Sequence, residues 1–256
     1  MSDQSPAGAP SLYVYAIVPA DRFKGALADP GLEAVPVTPV GYGPVAALVS
    51  RTAQSRVRPS RANLTAHQRV VDAAHRTSPV LPVRFGTILP DEATVRSELL
   101  EPDLDRFAAL LERMEDKDEY RLKVSYVEDA VLEEVVRASP PIQRARAELR
   151  RRNGRGSRDG MIVLGEMVRA ELERVRETDS SAILEAVQPH VVDYERLAER
   201  ADAVALHAAL LVRRDDSERL EEAVEEMARR QGDRVQVELL GPLPPWDFTE
   251  ISAAAL

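Results

Sequence analysis

Leu12 to Val18 (LYVYAIV) is an unbroken run of apolar, β-branched and aromatic residues closed by Pro19, which predicts a strand. Two more strands are predicted over Val35–Val40 and Val45–Ser50, joined across Gly41-Tyr42-Gly43-Pro44. From Ser60 the period lengthens. Ser60 can cap a helix running to Arg76, with Leu64, His67, Val70, Val71 and Ala74 on its buried stripe. The segment Ser78–Leu89 (SPVLPVRFGTIL) returns to alternation, Leu81, Val83 and Phe85 against Val80, Pro82 and Arg84. Pro82 cannot donate to a sheet ladder, so this strand is expected at an edge or with a bulge, and Gly86 ends it. A helix from Asp91 should break at Glu101-Pro102, and Leu104, Phe107, Ala108, Leu111 and Met114 mark one face of the next.

Beyond a charged turn, Glu115 to Glu119, the pattern starts again. Tyr120, Leu122, Val124 and Tyr126 face inward while Arg121, Lys123 and Ser125 face water, a half-solvated strand. A helix from Glu128 should bury Val131, Leu132, Val135 and Val136 and stop at Pro140-Pro141. An arginine-rich helix bearing Ile142, Ala145 and Leu149 then runs to Arg152, and a loop follows at Asn153–Gly160. Met161, Gly165, Val168, Leu172 and Val175 fall at spacings of four and three, a heptad seam facing that helix. An antiparallel helical hairpin is therefore expected over about 141–178, with a further helical turn or two at Ala182–Ala186. Ala203–Val212, apolar on both faces, reads as a central strand. A helix over Asp216–Arg230 turns Leu220, Val224 and Met227 inward, and Val235, Val237 and Leu239 alternate in a last strand. The proline-rich GPLPPWDF (241–248) closes the chain with Trp246 and Phe248 as anchors.

Strands and helices in this mixed order, with hairpin-type links, predict an α+β protein whose sheets are largely antiparallel, with helices on one face. The expected divisions are a disordered tail at 1–10, an α+β domain at 11–117, and a second α+β domain at 118–256 that carries the hairpin.

Composition narrows what such a protein can do. Without cysteine, disulfides, thiolate metal sites and cysteine nucleophiles are excluded. A formal net charge of -9 argues against a surface built for nucleic acid or anionic membrane. No apolar run reaches the roughly 20 residues that cross a bilayer, and the first residues lack the basic and apolar stretches of a secretory signal, so a cytoplasmic location is expected. His67 and His75 lie eight residues apart on one helix, about 12 Å at 1.5 Å per residue, too far to share a metal. His190 and His207 stand alone, and no nucleophile elbow or phosphate loop occurs. No cofactor, metal or catalytic residue is expected, and the chain reads as a non-enzyme. Arg144, Arg146, Arg150, Arg151, Arg152, Arg155 and Arg158 gather at the hairpin tip. They suit either a solvated helix end or, in a nucleic-acid-binding or ligand-sensing regulatory protein, a phosphate-binding or acidic-partner patch; no aromatics are interleaved to stack on bases.

Four blocks carry a resemblance: LYVYAIVP at 12–19, LTAHQRVVDAAHRTSPVLPVRFGTIL at 64–89, KVSYVEDAVLEEV at 123–135 and VELLGPLPPWDF at 237–248. Together they resemble the gas vesicle GvpL/GvpF family, in order and over nearly the whole chain. The last block departs from that family's "TGPWPPYSF"-type ending, with Leu240 and Leu243 in place of Thr and Trp, and Trp246-Asp247 in place of Tyr-Ser. The resemblance implies an N-terminal α+β domain and a modified ferredoxin-like C-terminal domain with a coiled-coil-like hairpin. It also implies a minor component or assembly factor of gas vesicles that binds the hydrophobic shell protein GvpA, with other gas vesicle accessory proteins as further partners. An edge strand can cover another chain's apolar surface, so Pro82, Val83, Arg84 and Phe85 are the expected partner-binding residues.

Overall fold

The structure, a computed structural model, describes residues 11–151, 158–198 and 203–249. The expected N-terminal tail, Arg152, Arg155 and most of the loop read at Asn153–Gly160 lie outside them. The chain divides into two compact units, residues 11–119 with 242–249, and Tyr120–Gly241. The closing segment, read from sequence with the second domain, thus belongs to the first.

In the first unit, β1 (Ser11–Pro19) is the central strand, with β2 (Thr38–Tyr42) and β3 (Val45–Thr52) as a hairpin on one side. β1 and β3 run antiparallel from Ser11↔Thr52 to Pro19↔Val45, with a bulge between Val14 and Ala16. Two very short strands, β4 (Leu81–Pro82) and β5 (Ile88–Leu89), lie along its other side. Ser60 caps α1 (Arg61–His75) by accepting from the Asn63 amide, and Asp91 caps α2 (Glu92–Thr94), which continues as a π-helical turn to Leu100. The last helix of this unit is α3 (Leu104–Met114).

Every residue of β1 from Leu12 to Val18 is buried, which a sheet with one wet face would not allow. Tyr13 and Tyr15 cluster with Val70, Val71 and Ala74 of α1. Helix α3, whose Phe107, Leu111 and Met114 lie outside that cluster, packs on β1, β3 and β4. Cover on both faces replaces the single helical layer expected from sequence. Leu64, assigned to the buried stripe of α1, is exposed at its N-terminal turn.

In the second unit the strand order is β7 (Asp193–Arg196), β8 (Val204–Arg213), β6 (Lys117–Tyr126), β9 (Val235–Leu243). The Tyr126 amide donates to the Ala203 carbonyl and the Val127 amide to the Arg234 carbonyl, so the end of β6 meets the starts of β8 and β9. With α7 (Ser217–Gln231) between β8 and β9, this is the β-α-β-β-α-β ferredoxin-like order. The first crossover is enlarged to three helices, α4 (Glu128–Ala138), α5 (Pro140–Arg151) and α6 (Arg158–Val187). Tyr120, Leu122, Val124 and Tyr126 are buried with Val131, Val135, Leu220, Val224 and Met227, as the alternation and helical periods predict.

Three details differ from the sequence reading. Lys117–Glu119 begin β6 rather than a turn, and Asp118 and Glu119 are buried. Helix α6 is one element of 30 residues, about 45 Å long. Its seam comprises Leu164, Val168, Leu172 and Val175, whereas Met161 and Gly165 point to solvent, as does Leu132 on α4.

Candidate functional site

The segment expected to bind a partner does not form one continuous strand. Leu81 and Pro82 pair with Ile17 and Ala16, and Ile88 and Leu89 pair with Tyr13 and Leu12. Between them the chain lifts away from β1 and returns. The Val83 amide donates to the Tyr15 carbonyl at 3.0 Å, and the Val14 amide to the Thr87 carbonyl at 3.0 Å. Gly86 makes the return possible at φ +93, a conformation that side chains disfavour. The Thr87 hydroxyl then donates to the Arg84 carbonyl at 2.8 Å and closes the crest.

Pro82 and Val83 are buried, Phe85 is half-buried and Arg84 is exposed at the apex. Arg84 makes no ion pair among the described residues. Of the four, Arg84 and the outer part of Phe85 are reachable from solvent; Pro82 and Val83 hold the crest against β1.

Beneath the crest lies an aromatic cluster. The rings of Tyr13 and His67 stand 5.9 and 5.6 Å from Phe85, and Trp246 is 5.9 Å from His67. The Gly86 amide donates to the Tyr13 hydroxyl at 3.0 Å, which leaves that hydroxyl's proton for His67 Nδ1 at 2.9 Å. The imidazole is then a neutral Nε2–H tautomer. Burial pushes His67 down to about 4, opposed in part by the Val83 carbonyl, and burial raises Tyr13 above the usual phenol range. Tyr15 accepts from the Leu32 amide at 2.8 Å and lies 2.7 Å from Ser50 Oγ. Gly31 is packed so closely under Tyr15 that an added Cβ would sit 2.8 Å from its Cζ.

His75 has a different role: its Nε2 is 2.8 Å from the buried Asp118 carboxylate, a contact within the first unit. His190 follows α6 and His207 lies on β8, both half-buried. Among the described residues no group of three or more His, Cys, Asp or Glu is placed to hold a metal ion, and no helix is long and apolar enough to cross a membrane.

Sequence reasoning missed two part-buried polar groupings. The Asp247 amide donates to Glu119 at 2.8 Å. In the second unit, Tyr126 Oη and Arg234 Nη2 both donate to Asp179 Oδ2 at 2.7 Å, while Arg234 Nε donates to Glu134 at 2.6 Å. Tyr126 ends a strand, Asp179 interrupts an apolar helical pattern and Arg234 precedes a strand, which is the only signal the sequence offers of either grouping.

Comparison with known proteins bears on the whole chain. Residues 11–250 match the family described as gas vesicle synthesis protein GvpL/GvpF. Gas vesicle protein F of Streptomyces sp. (strain CB03234) is 33% identical over 245 residues, covering 94% of this chain and 100% of that protein. Gas vesicle protein L of the same strain is 36% identical over 192 residues, covering 73% of this chain and 68% of that protein. The crystal structure of gas vesicle protein GvpF from Anabaena sp. PCC7120 superposes with a TM-score of 0.79 at 20% identity, covering 95% of this chain and 98% of that one.

Proposed function

This chain belongs to the GvpL/GvpF family of gas vesicle proteins, and from that premise we propose that it is an assembly factor that binds the shell protein GvpA and limits its aggregation while a vesicle nucleates. The observation that carries the reading is the family match from residue 11 to residue 250, across both units. A shell subunit that must bury apolar surface in an assembled wall is exposed to water before assembly, and a protein that covers that surface reversibly keeps it assembly-competent. Such a partner works at the vesicle and transforms no substrate.

The crest at Pro82–Phe85 supports a place for the contact. Arg84 and the rim of Phe85 project from an edge that is itself protected: Pro82 removes a ladder donor, and only two residues on each side pair with β1. Such an edge resists pairing with itself yet leaves a cation beside an aromatic rim, a combination common at binding hot spots.

The test uses the full chain with shell protein diluted from denaturant, followed by light scattering. The chain should suppress aggregation, and Arg84→Glu should weaken shell-protein binding about tenfold, or ~1.4 kcal/mol, with unchanged melting. Equal aggregation with and without the chain would reject the chaperone-like role. Suppression retained in full by Arg84→Glu would reject the crest alone.

A further inference from the structure

Exposed arginines gather on α5 and at the end of α4. Elsewhere on helices some arginines pair within a turn, Arg96 with Glu92, Arg174 with Glu171, and Arg229 and Arg230 with Glu226, while scattered ones such as Arg61, Arg69 and Arg169 make no ion pair among the described residues. On α5 and the end of α4, Arg137, Arg144, Arg146 and Arg150 are exposed and make no ion pair among the described residues. Arg151 is paired, with Glu148. In a chain of net charge -9, four arginines against one acid on α5 are a local departure.

Beside these cations runs an open groove of about 670 Å³ with apolar walls and a polar rim. One wall is Leu132 and Val136 of α4, the other Leu164 and Val168 of α6, and Ile142 of α5, only 1% exposed, lies in the floor. Leu132 is 40% exposed, and one turn further along α6 Met161 is 69% exposed, so the apolar row continues past the groove toward the helix start. Each wall is an i, i+4 ridge, the surface into which a further helix packs. Arg137 and Arg146 stand on the rim, with Glu133 the one acid among the lining residues, and Arg150 follows Arg146 one turn on.

We propose that this groove between α4, α5 and α6 docks an amphipathic helix from another protein, apolar along one face and acidic along the edge that meets Arg137, Arg146 and Arg150. The apolar walls take anchors at i, i+3, i+4 and i+7, and the arginine edge fixes direction by pairing with carboxylates. A phosphate backbone would use the cations and leave the apolar walls wet. This surface is separate from the crest at Arg84, and the proposal stands whether or not that contact exists.

The probe is a fluorescein-labelled helical peptide of about 18 residues, five turns, with leucines on one face and glutamates along one edge. A second peptide carries lysine in place of each glutamate. Fluorescence anisotropy with the full chain should show saturable binding of the acidic-edged peptide, at least tenfold tighter than the lysine-edged one. Arg137→Glu with Arg146→Glu should weaken it tenfold or more, and Leu132→Glu likewise, while circular dichroism melting of both variants stays that of the parent. Equal affinity for the two peptides, or binding indifferent to either variant, overturns the proposal. A short DNA duplex that competes with the peptide in the Leu132→Glu protein as well as in the parent would make this a polyanion site and overturn it too. So would concentration-dependent self-association of the parent, abolished by Leu132→Glu, since the groove would then be filled by a second copy.

Discussion

His67 shows how one side chain can set a pH limit on a fold. It is 3% exposed, ringed by Tyr13, Tyr15, Phe85 and Trp246, and neutral because burial holds it at about 4. In the unfolded chain the same imidazole titrates near 6.5. The unfolded state therefore takes up a proton first as pH falls, and the folded state is destabilised by the difference. No effect is expected above about pH 6.5, a progressive loss between about 6.5 and 4, and a plateau below, totalling about 3 kcal/mol for a shift of this size. Urea unfolding of the parent and of His67→Gln across this range checks it: the stability gap in favour of the parent should shrink by about that amount from pH 7 to pH 4. A gap constant with pH would mean the ring is already charged or solvated in the fold. Carboxylates titrate in the same window, but they do so in both proteins and cancel in the difference.

At the scale of elements, α6 shows where a helix can be read from sequence and where it cannot. Its apolar seam is legible: Val168, Leu172 and Val175 lie inward as the spacing requires, and the period slips only at the exposed start, where Leu164 replaces Met161 and Gly165. The polar run Thr178-Asp179-Ser180-Ser181 reads as an end to the helix, yet α6 continues through it to Val187. Asp179 is held by Tyr126 and Arg234, 53 and 55 residues away, and Ser180 is 1% exposed. Asp118 and Glu119 follow the same logic, with partners 43 and 128 residues distant. A local pattern of polar residues says "solvent" unless the partner is known, and these partners are distant in sequence. The crest residues were legible in part for a related reason: proline and glycine mark backbone events locally, whereas the burial of Val80 and Pro82 depends on packing by the rest of the unit. Asp179→Asn removes the charge shared by Tyr126 and Arg234 and leaves Arg234 with Glu134. A destabilisation of about 2 kcal/mol is expected, and Tyr126→Phe should cost about 1 kcal/mol. A double-mutant cycle should show the two coupled, because both donors meet one oxygen, Oδ2. Additive effects would mean that the three groups do not act together.

For the whole molecule, the informative feature is that the first unit is discontinuous in sequence. The chain enters it at β1, leaves after Glu119, completes the ferredoxin-like unit from Tyr120 to Gly241, and returns for its last residues. The return is a packed part of the first core. Pro244, Pro245 and Thr249 are buried, Trp246 lies against the Tyr13, Tyr15 and Val70 cluster, and the Asp247 amide meets the buried carboxylate of Glu119. A protein ending at Gly241 would thus keep the first unit's sheet and all of the second but the last two residues of β9, yet strip a face of the first unit's aromatic cluster. Removing a part-buried tryptophan and one hydrogen bond to a buried carboxylate should cost that unit about 3–5 kcal/mol. Hydrogen exchange resolves where the loss falls. Amides of β1 and α1 should exchange faster in the truncated protein, while those of α7 and the C-terminal half of α6, whose core is built from residues 120–241, keep their protection. Trp246→Ala in the full chain should reproduce a smaller version of the same map. Uniform acceleration across both units would show that the fold is one cooperative block, and unchanged protection at β1 would show that the closing segment only rests on a core complete without it.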